Sequence, residues 1–408
     1  MLSPESTDVI RATAATVIRH GEGITGRFYE RMFAAQPDLL HLFNRGNQAN
    51  GQQRQALAMS VAAVAGHLAG IAPVPLDDIV NRIAHKHASL GVAPAQYTVV
   101  GRHLMAAISE VLGEAVTPAV HAAWDEVYWL FACLLVSKEA RLYQSSGTDF
   151  DRAFAPFRVI RRRQDTPEVT SFWLAPESGV PARHRPGQYV SVAVQLPEIG
   201  RQIRQYSISS APGAPEIRLS VKLHRAGGDR PAGMVSTHLH ERVRPGDVLQ
   251  VSPPFGDLTL PDGDSPLLLA SAGVGSTPMI SCLEHLAGTG DGRPITVLHA
   301  DREPGNHPLR DEMFAAVRRL PRASLHLWYE HGTSPDAPGN AEVRTGLADP
   351  GVIALSPTTR AVLCGPLPFM GIVRRDLLDR GIPADHIHYE VFGPDAWLGR
   401  PTTEPAAV

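Results

Sequence analysis

The chain has 408 residues, 43% hydrophobic and 19% charged, with a formal net charge of -3. It is too long for one ordinary core, which points to two or three domains, and its charge gives no electrostatic case for nucleic acid or an anionic membrane as a partner. No run of roughly 18 apolar residues occurs and the first residues lack a basic and an apolar stretch, so neither a membrane span nor a signal is expected.

Residues 1–142 read as helical throughout. Apolar side chains recur at steps of three and four, in Leu57, Val61, Val64 and Leu68 and again in Trp124, Tyr128, Phe131 and Leu135. Small polar residues interrupt that pattern over 143–155, which reads as a linker. From 156 to 262 short β-rich runs are punctuated by Pro and Gly, at Phe157–Ile160, Tyr189–Val194, Arg218–Leu223 and Val248–Val251, the spacing of an antiparallel barrel. From 263 to 400 apolar strands at Leu267–Ala270, Ile295–His299, Leu325–Trp328 and Ala361–Leu363 alternate with helical stretches, the pattern of a parallel α/β sheet. Residues 401–408 read as a disordered tail. Cys133, Cys282 and Cys364 stand far apart with no CxxC. That argues against a disulfide framework, an iron–sulfur cluster or a thiolate zinc site, and suits a reducing cytoplasm.

Within the helical segment, Val80, Ile83, His87 and Leu90 share one helix face, so His87 is expected to project inward while His85 lies on another face. A histidine on an apolar stripe is more often a hydrogen-bonded core residue than a ligand, so its neighbours must decide. Gln53 stands four before Leu57, at a core-facing position where a polar side chain is otherwise expensive. Glu139 falls on the face of Tyr128, Phe131, Leu135 and Leu142. In the third segment, Gly273-Val274-Gly275-Ser276-Thr277-Pro278 follows an apolar strand and opens a helix. Glycines there let the backbone approach a pyrophosphate, and Pro278 suits a first helical turn. After the next strand, Asp301 would accept the ribose hydroxyls of NADH and Arg302 would favour the phosphate of NADPH. The two signals conflict, so nicotinamide preference stays open.

Five stretches stand in register: Arg185-Pro-Gly-Gln-Tyr189, Arg204-Gln205-Tyr206-Ser207, the turn at 273–278, Cys364-Gly365-Pro366, and Glu390-Val391-Phe392-Gly393-Pro394. Together they resemble the ferredoxin-reductase family of FAD- and nicotinamide-binding modules. The resemblance implies that Arg204 forks onto the flavin pyrophosphate, with Gln205, Tyr206, Ser207 and Tyr189 at the flavin. Gly233-Met-Val-Ser236 matches the opening of that family's phosphate-binding short helix. The turn at 273–278 is implied to serve the nicotinamide nucleotide, with Cys364, Gly365 and Pro366 near the nicotinamide and Phe392 over the flavin, flanked by Glu390, Val391, Gly393 and Pro394. Val391 departs from the small or sulfur-bearing residue that the pattern carries there.

Ahead of this module, Phe28-Tyr29, Leu42-Phe43, Gln53 to Leu57, Lys86-His87 and Pro94-Ala-Gln-Tyr97 resemble the globin domain of the bacterial flavohaemoglobins, the nitric oxide dioxygenases. That resemblance implies haem b, FAD and NADH or NADPH as cofactors. His87 is then the proximal iron ligand, supported by Tyr97 and Glu139. Tyr29 and Gln53 are distal donors, Leu57 and Phe43 line the haem, and Lys86 lies with Glu390 near the junction of the two halves. The implied reaction passes electrons from NAD(P)H through FAD to haem, which with dioxygen converts nitric oxide to nitrate. Its partners are small molecules, and a cytoplasmic monomer is expected. An alkylhydroperoxide or general electron-acceptor reductase would use the same centres. A gas sensor or carrier would more naturally carry a transmitter domain than a reductase.

Overall fold

The computed structural model describes residues 1–42, 52–72, 74–197, 199–227 and 231–393. Contacts gather them into two compact units, the first built on 1–154 with 195–203 and 393, the second on 155–194 and 204–392.

The first unit is helical: α1 (Pro4–Arg19), α2 (Gly21–Ala35), α3 (Gln52–Leu68), α4 (Leu76–Leu90), α5 (Pro94–Leu112) and α6 (Pro118–Ser146). Local chemistry marks the ends. Ser3 and Thr117 accept backbone N–H groups from Ser6 and Val120, and Pro4, Pro94 and Pro118 start their helices. Gly91 and Gly147 terminate α4 and α6 in the left-handed conformation. The core gathers Ile10, Phe28, Met32, Ile79 and Trp124, all fully buried.

By length and composition α6 is apolar enough to cross a membrane. Its buried side chains are instead the expected face, Trp124, Tyr128, Phe131, Leu135 and also Glu139. The helix runs on to Ser146, into the polar stretch read as a linker. Ser145 and Ser146 return their hydroxyls to the carbonyls of Leu142 and Tyr143, while buried Tyr143 donates to the carbonyl of Val92 at 3.1 Å.

The second unit carries two sheets. The first holds β1 (Ala155–Gln164), β2 (Val169–Pro176), β3 (Tyr189–Leu196), β4 (Gly200–Ser207), β5 (Ile217–Lys222) and β6 (Val248–Val251), in the order β4-β3-β6-β1-β2-β5. The pairs β1–β2, β1–β6, β2–β5 and β3–β6 are antiparallel. Beyond β4, Ile208 bridges Leu219 of β5, so the two edges meet and the sheet closes on itself as a barrel. One helix, α7 (Met234–Arg242), lies between β5 and β6.

The second sheet is parallel, in the order β10-β9-β8-β7-β11-β12, from β7 (Leu267–Ala272), β8 (Ile295–Asp301), β9 (Ala323–Tyr329), β10 (Ala341–Thr345), β11 (Arg360–Cys364) and β12 (Ile387–Glu390). Helices α8 (Ser276–Thr289), α9 (Arg310–Arg319) and α10 (Leu367–Asp379) connect its strands. The chain leaves β7 toward β8 on one side and returns to β11 on the other. A reversal of this kind opens a crevice at the carboxyl ends of β7 and β11, where open α/β sheets take their ligands. Periodicity did not reveal the short edge strands β10 and β12.

Candidate functional site

Three helices converge on His87. It sits in the last turn of α4, whose end is fixed by the Val92 N–H donating to the His87 carbonyl at 3.1 Å. Gln96 turns back to accept the Ala93 N–H at 2.8 Å, and this cap starts α5 so that Tyr97 faces α4. Glu139 comes from α6. The His87 Nδ1 lies 2.8 Å from the Tyr97 hydroxyl and 2.9 Å from Glu139 Oε1, and the Tyr97 hydroxyl donates to that same oxygen at 2.5 Å.

The proton count follows. The single Tyr97 proton goes to the carboxylate, so Nδ1 must be the N–H donor of the group. That leaves the Nε2 lone pair as the only ring atom able to bind a metal. Burial first, and then the Glu139 charge, push the Tyr97 hydroxyl up from its ordinary value, so it remains a donor at neutral pH. Glu139 is 3% exposed and His87 is 32% exposed, which leaves the imidazole partly open with its support sealed behind it. Of the stripe, Val80 is buried in the core as periodicity suggests, while Ile83, His87 and Leu90 are half-buried. His85, on the other face, is also half-buried.

Behind Tyr97 lies a further lock. The Tyr128 hydroxyl enters the ladder of α5, donating to the Tyr97 carbonyl and accepting the Gly101 N–H. A Cβ on Gly101 would come within 2.4 Å of the Tyr128 ring. Glycine is needed there by the ring across it.

Tyr29 is buried in α2, with ring centroids 4.8 Å from Phe28 and 5.6 Å from Phe33. Helices α2 and α3 pack together, and α3 carries half-buried Gln53 and Leu57. Leu57 also lines a small apolar cavity with Ile24, Val61, Leu104 and Ile108. Phe43 lies outside the described residues, as does Pro394.

In the barrel, β4 presents Arg204, Gln205 and Tyr206 half-buried and Ser207 buried. Desolvation lowers the Arg204 guanidinium from its usual value and raises the Tyr206 hydroxyl, so partial burial disfavours the charged form of each. Tyr189 is buried and exchanges backbone hydrogen bonds of 2.8 Å with Phe255. Gly233 is the N-cap of α7. The Ser236 hydroxyl donates to the Gly233 carbonyl at 2.8 Å and accepts the His224 N–H at 3.2 Å. Ser236 thus secures the turn, and the orphan N–H groups of the first helical turn are what it offers to an anion.

In the parallel sheet, Gly273–Gly275 forms a tight turn at the end of β7 and α8 begins at Ser276. The Thr277 hydroxyl donates to the Val274 carbonyl at 2.9 Å and the Ser276 hydroxyl to the Pro308 carbonyl at 3.3 Å, with Pro278 buried beside them. A Cβ on Gly275 would lie 2.3 Å from the Cys364 carbonyl, so this glycine permits the two strand ends to touch. Cys364 is fully buried, and burial, then Glu390, hold its thiol well up. It pairs in register with Glu390, while Gly365 and Pro366 lead into α10. Val391 is half-buried, Phe392 is 50% exposed, and the Gly393 carbonyl accepts from Lys86 Nζ at 3.3 Å.

Sequence reading missed a polar cluster beneath the carboxyl edge of this sheet. The His299 and His307 rings stack at 3.8 Å, His299 Nδ1 meets the Ser271 hydroxyl, and His307 Nδ1 meets the Tyr329 hydroxyl, each at 2.8 Å. Asp301 turns inward, 3.7 Å from His299 Nε2, and accepts the Arg302 N–H at 2.8 Å. No short motif signals this cluster, because strand pairing assembles it.

Two family models match the chain: Globin over residues 26–132, and Oxidoreductase NAD-binding domain over residues 269–375. A flavohemoprotein of Bordetella pertussis is 46% identical over 96% of this chain and 99% of its own length. The crystal structure of flavohemoglobin from Malassezia yamatoensis, with bound FAD and heme, superposes with a TM-score of 0.86 at 32% identity, covering 96% of this chain and all of that one. The FAD/NAD-binding domain of nitric oxide dioxygenase from Vibrio cholerae matches 60% of this chain and all of its own, at 35% identity and a TM-score of 0.54.

Proposed function

Since the chain belongs to the flavohaemoprotein family, an oxidoreductase joining a globin to a flavin- and nicotinamide-binding reductase, we propose that it is an NAD(P)H-dependent nitric oxide dioxygenase. The observation that carries this reading is the His87–Tyr97–Glu139 group, built to support one basic imidazole nitrogen, on the same chain as a nucleotide crevice. When bound, haem b would supply an iron centre for dioxygen, FAD the means to pass electrons singly, and NADH or NADPH the hydride. Nitric oxide, dioxygen and one electron sum to nitrate, so each hydride supports two turnovers and releases one proton.

The chain's own residues do the rest. His87 holds iron through Nε2 while Glu139 accepts the Nδ1 proton, raising the basicity of the ligand and favouring reduction of dioxygen over storage. Tyr97 keeps the carboxylate oriented. Tyr29 and Gln53 would donate hydrogen bonds toward the diatomic ligand, and Leu57 would wall the haem. Arg204 neutralises the flavin pyrophosphate with α7 opening beside it at Gly233, while Tyr189, Gln205, Tyr206, Ser207 and Phe392 flank the ring. The turn 273–278 receives the nicotinamide nucleotide, and Cys364, Gly365 and Pro366 border the nicotinamide. The three unpaired thiols suit a protein of the cytoplasm, working as a monomer.

The test is nitric oxide consumption in air by purified protein given NADH or NADPH, with nitrate as the measured product. Turnover of alkyl hydroperoxides that outpaced nitric oxide under the same conditions would replace this reading with a peroxide reductase.

A further inference from the structure

One buried cation ties the two sheets of the second unit together. Arg218, on β5 of the barrel, is 5% exposed. Its Nε donates to the Ser209 hydroxyl at 3.1 Å, and its Nη2 donates to the Ser209 carbonyl and to Glu284 Oε1 at 2.8 Å. Its Nη1 lies 3.4 Å from Glu312 Oε1. Glu284 belongs to α8 and Glu312 to α9, both layers of the parallel sheet. The other Glu284 oxygen accepts the Ala211 N–H at 3.1 Å, and Ser281, one turn earlier on α8, donates to the Ser210 carbonyl at 2.8 Å. Glu312 is shared with Arg163 of β1, whose Nη2 stands 2.5 Å away.

Arg218, Glu284 and Ser281 each bond to Ser209–Ala211, the stretch that follows Arg204–Ser207 and the barrel-closing Ile208. Helix α8, in turn, starts at the turn 273–275. Taking a charge out of water is costly, and a buried ion pair is weak evidence for stability. Its attested use is to fix one register among several. We propose that Arg218, held by Glu284 and Glu312, is a positioning residue for hydride transfer. It sets the nicotinamide turn, through α8, at one spacing from the flavin strand. The inference rests on the reading that 204–207 holds FAD and 273–278 holds the nicotinamide nucleotide.

The clamp predicts a split between binding and rate. In Arg218→Met and Glu284→Gln, FAD content and the KM for NADH stay near the parent values. Stopped-flow flavin reduction at saturating NADH slows by about tenfold to a hundredfold, the scale expected for small misplacement of reacting groups. The long-wavelength charge-transfer absorbance between NADH and oxidised flavin weakens in parallel. Arg218→Lys, which keeps the charge without the fork, recovers part of the rate. Glu284→Gln keeps an oxygen to accept the Ala211 N–H but removes the charge and turns an amide donor toward Arg218, so it decides the question if Arg218→Met fails to fold. Parental reduction rates and charge-transfer absorbance in FAD-replete variants would overturn the clamp alone. A parent protein whose flavin is not reduced by NADH or NADPH would overturn the reading beneath it and the clamp with it.

Discussion

The two units build their sites by opposite means. In the helical unit, Tyr97 of α5 and Glu139 of α6 converge on one nitrogen of His87 from α4, and each is a distinct chemical device: an imidazole, a hydroxyl donor and a carboxylate. In the reductase unit, the crevice between β7 and β11 is made of backbone: a glycine turn, a helix start and a strand end that touch because Gly275 has no Cβ. A side-chain site should fail abruptly when one atom group is changed. A backbone site should absorb side-chain changes and fail through charge or spacing.

The most severe break is His87→Ala, which should abolish stable haem binding, while His85→Ala leaves it near normal. Haem content per chain and the Soret band measure both, and stoichiometric haem in His87→Ala would remove the ligand assignment. Next is Arg204→Ala in the reductase. Losing charge-assisted bonds worth about 1.5–3 kcal/mol should weaken FAD binding by roughly ten- to a hundredfold, with the haem spectrum intact. FAD retained in full after dialysis would contradict the pyrophosphate role. Glu139→Gln preserves shape but weakens the hold on the Nδ1 proton. Loss of an outer partner of this kind costs about 10–100-fold in affinity or activity, and nitric oxide consumption at saturating NADH is the readout.

Tyr29→Phe sharpens the comparison further, because it removes one hydroxyl and little volume. Dioxygen release should speed by about tenfold for each ~1.4 kcal/mol lost, while NADH-to-flavin reduction proceeds unchanged. An unaltered off-rate would make Tyr29 a packing residue. The smallest effect concerns pH. Burial raises Tyr97, Tyr128 and Tyr143 alike, so none of these three phenols titrates between neutrality and pH of about 10, the ordinary tyrosine value. Above it the unfolded chain binds fewer protons than the folded one, and stability falls as pH rises. Calorimetric Tm should therefore be insensitive to these groups below that point and decline beyond it, less so in Tyr143→Phe.

What the sequence disclosed tracks this contrast. The period of α6 was plain because its stripe is buried against neighbours on one side, and Glu139 rides the same stripe. The turn at 273–278 was legible because strand, glycines and helix are local. The His87–Glu139 pairing spans 52 positions, so only the family resemblance brought the two together. Arg218 finds its partners 66 and 94 residues away. Nothing local marks it within the β-rich run Arg218–Leu223. The stacked His299 and His307 were hidden for the same reason, since parallel register sets His299 beside Ser271.

The Tyr128 hydroxyl, lodged between Gly101 and Tyr97, has a genetic consequence. Gly101 touches neither iron nor substrate in the proposed scheme, yet any side chain there collides with the ring that locks Tyr97. Alanine, valine or serine at that codon would loosen the support of His87 from the neighbouring helix. Among clones selected for sensitivity to nitric oxide, lesions at 101 should therefore recur alongside those at 87 and 139, and they should yield haem-containing protein with diminished turnover.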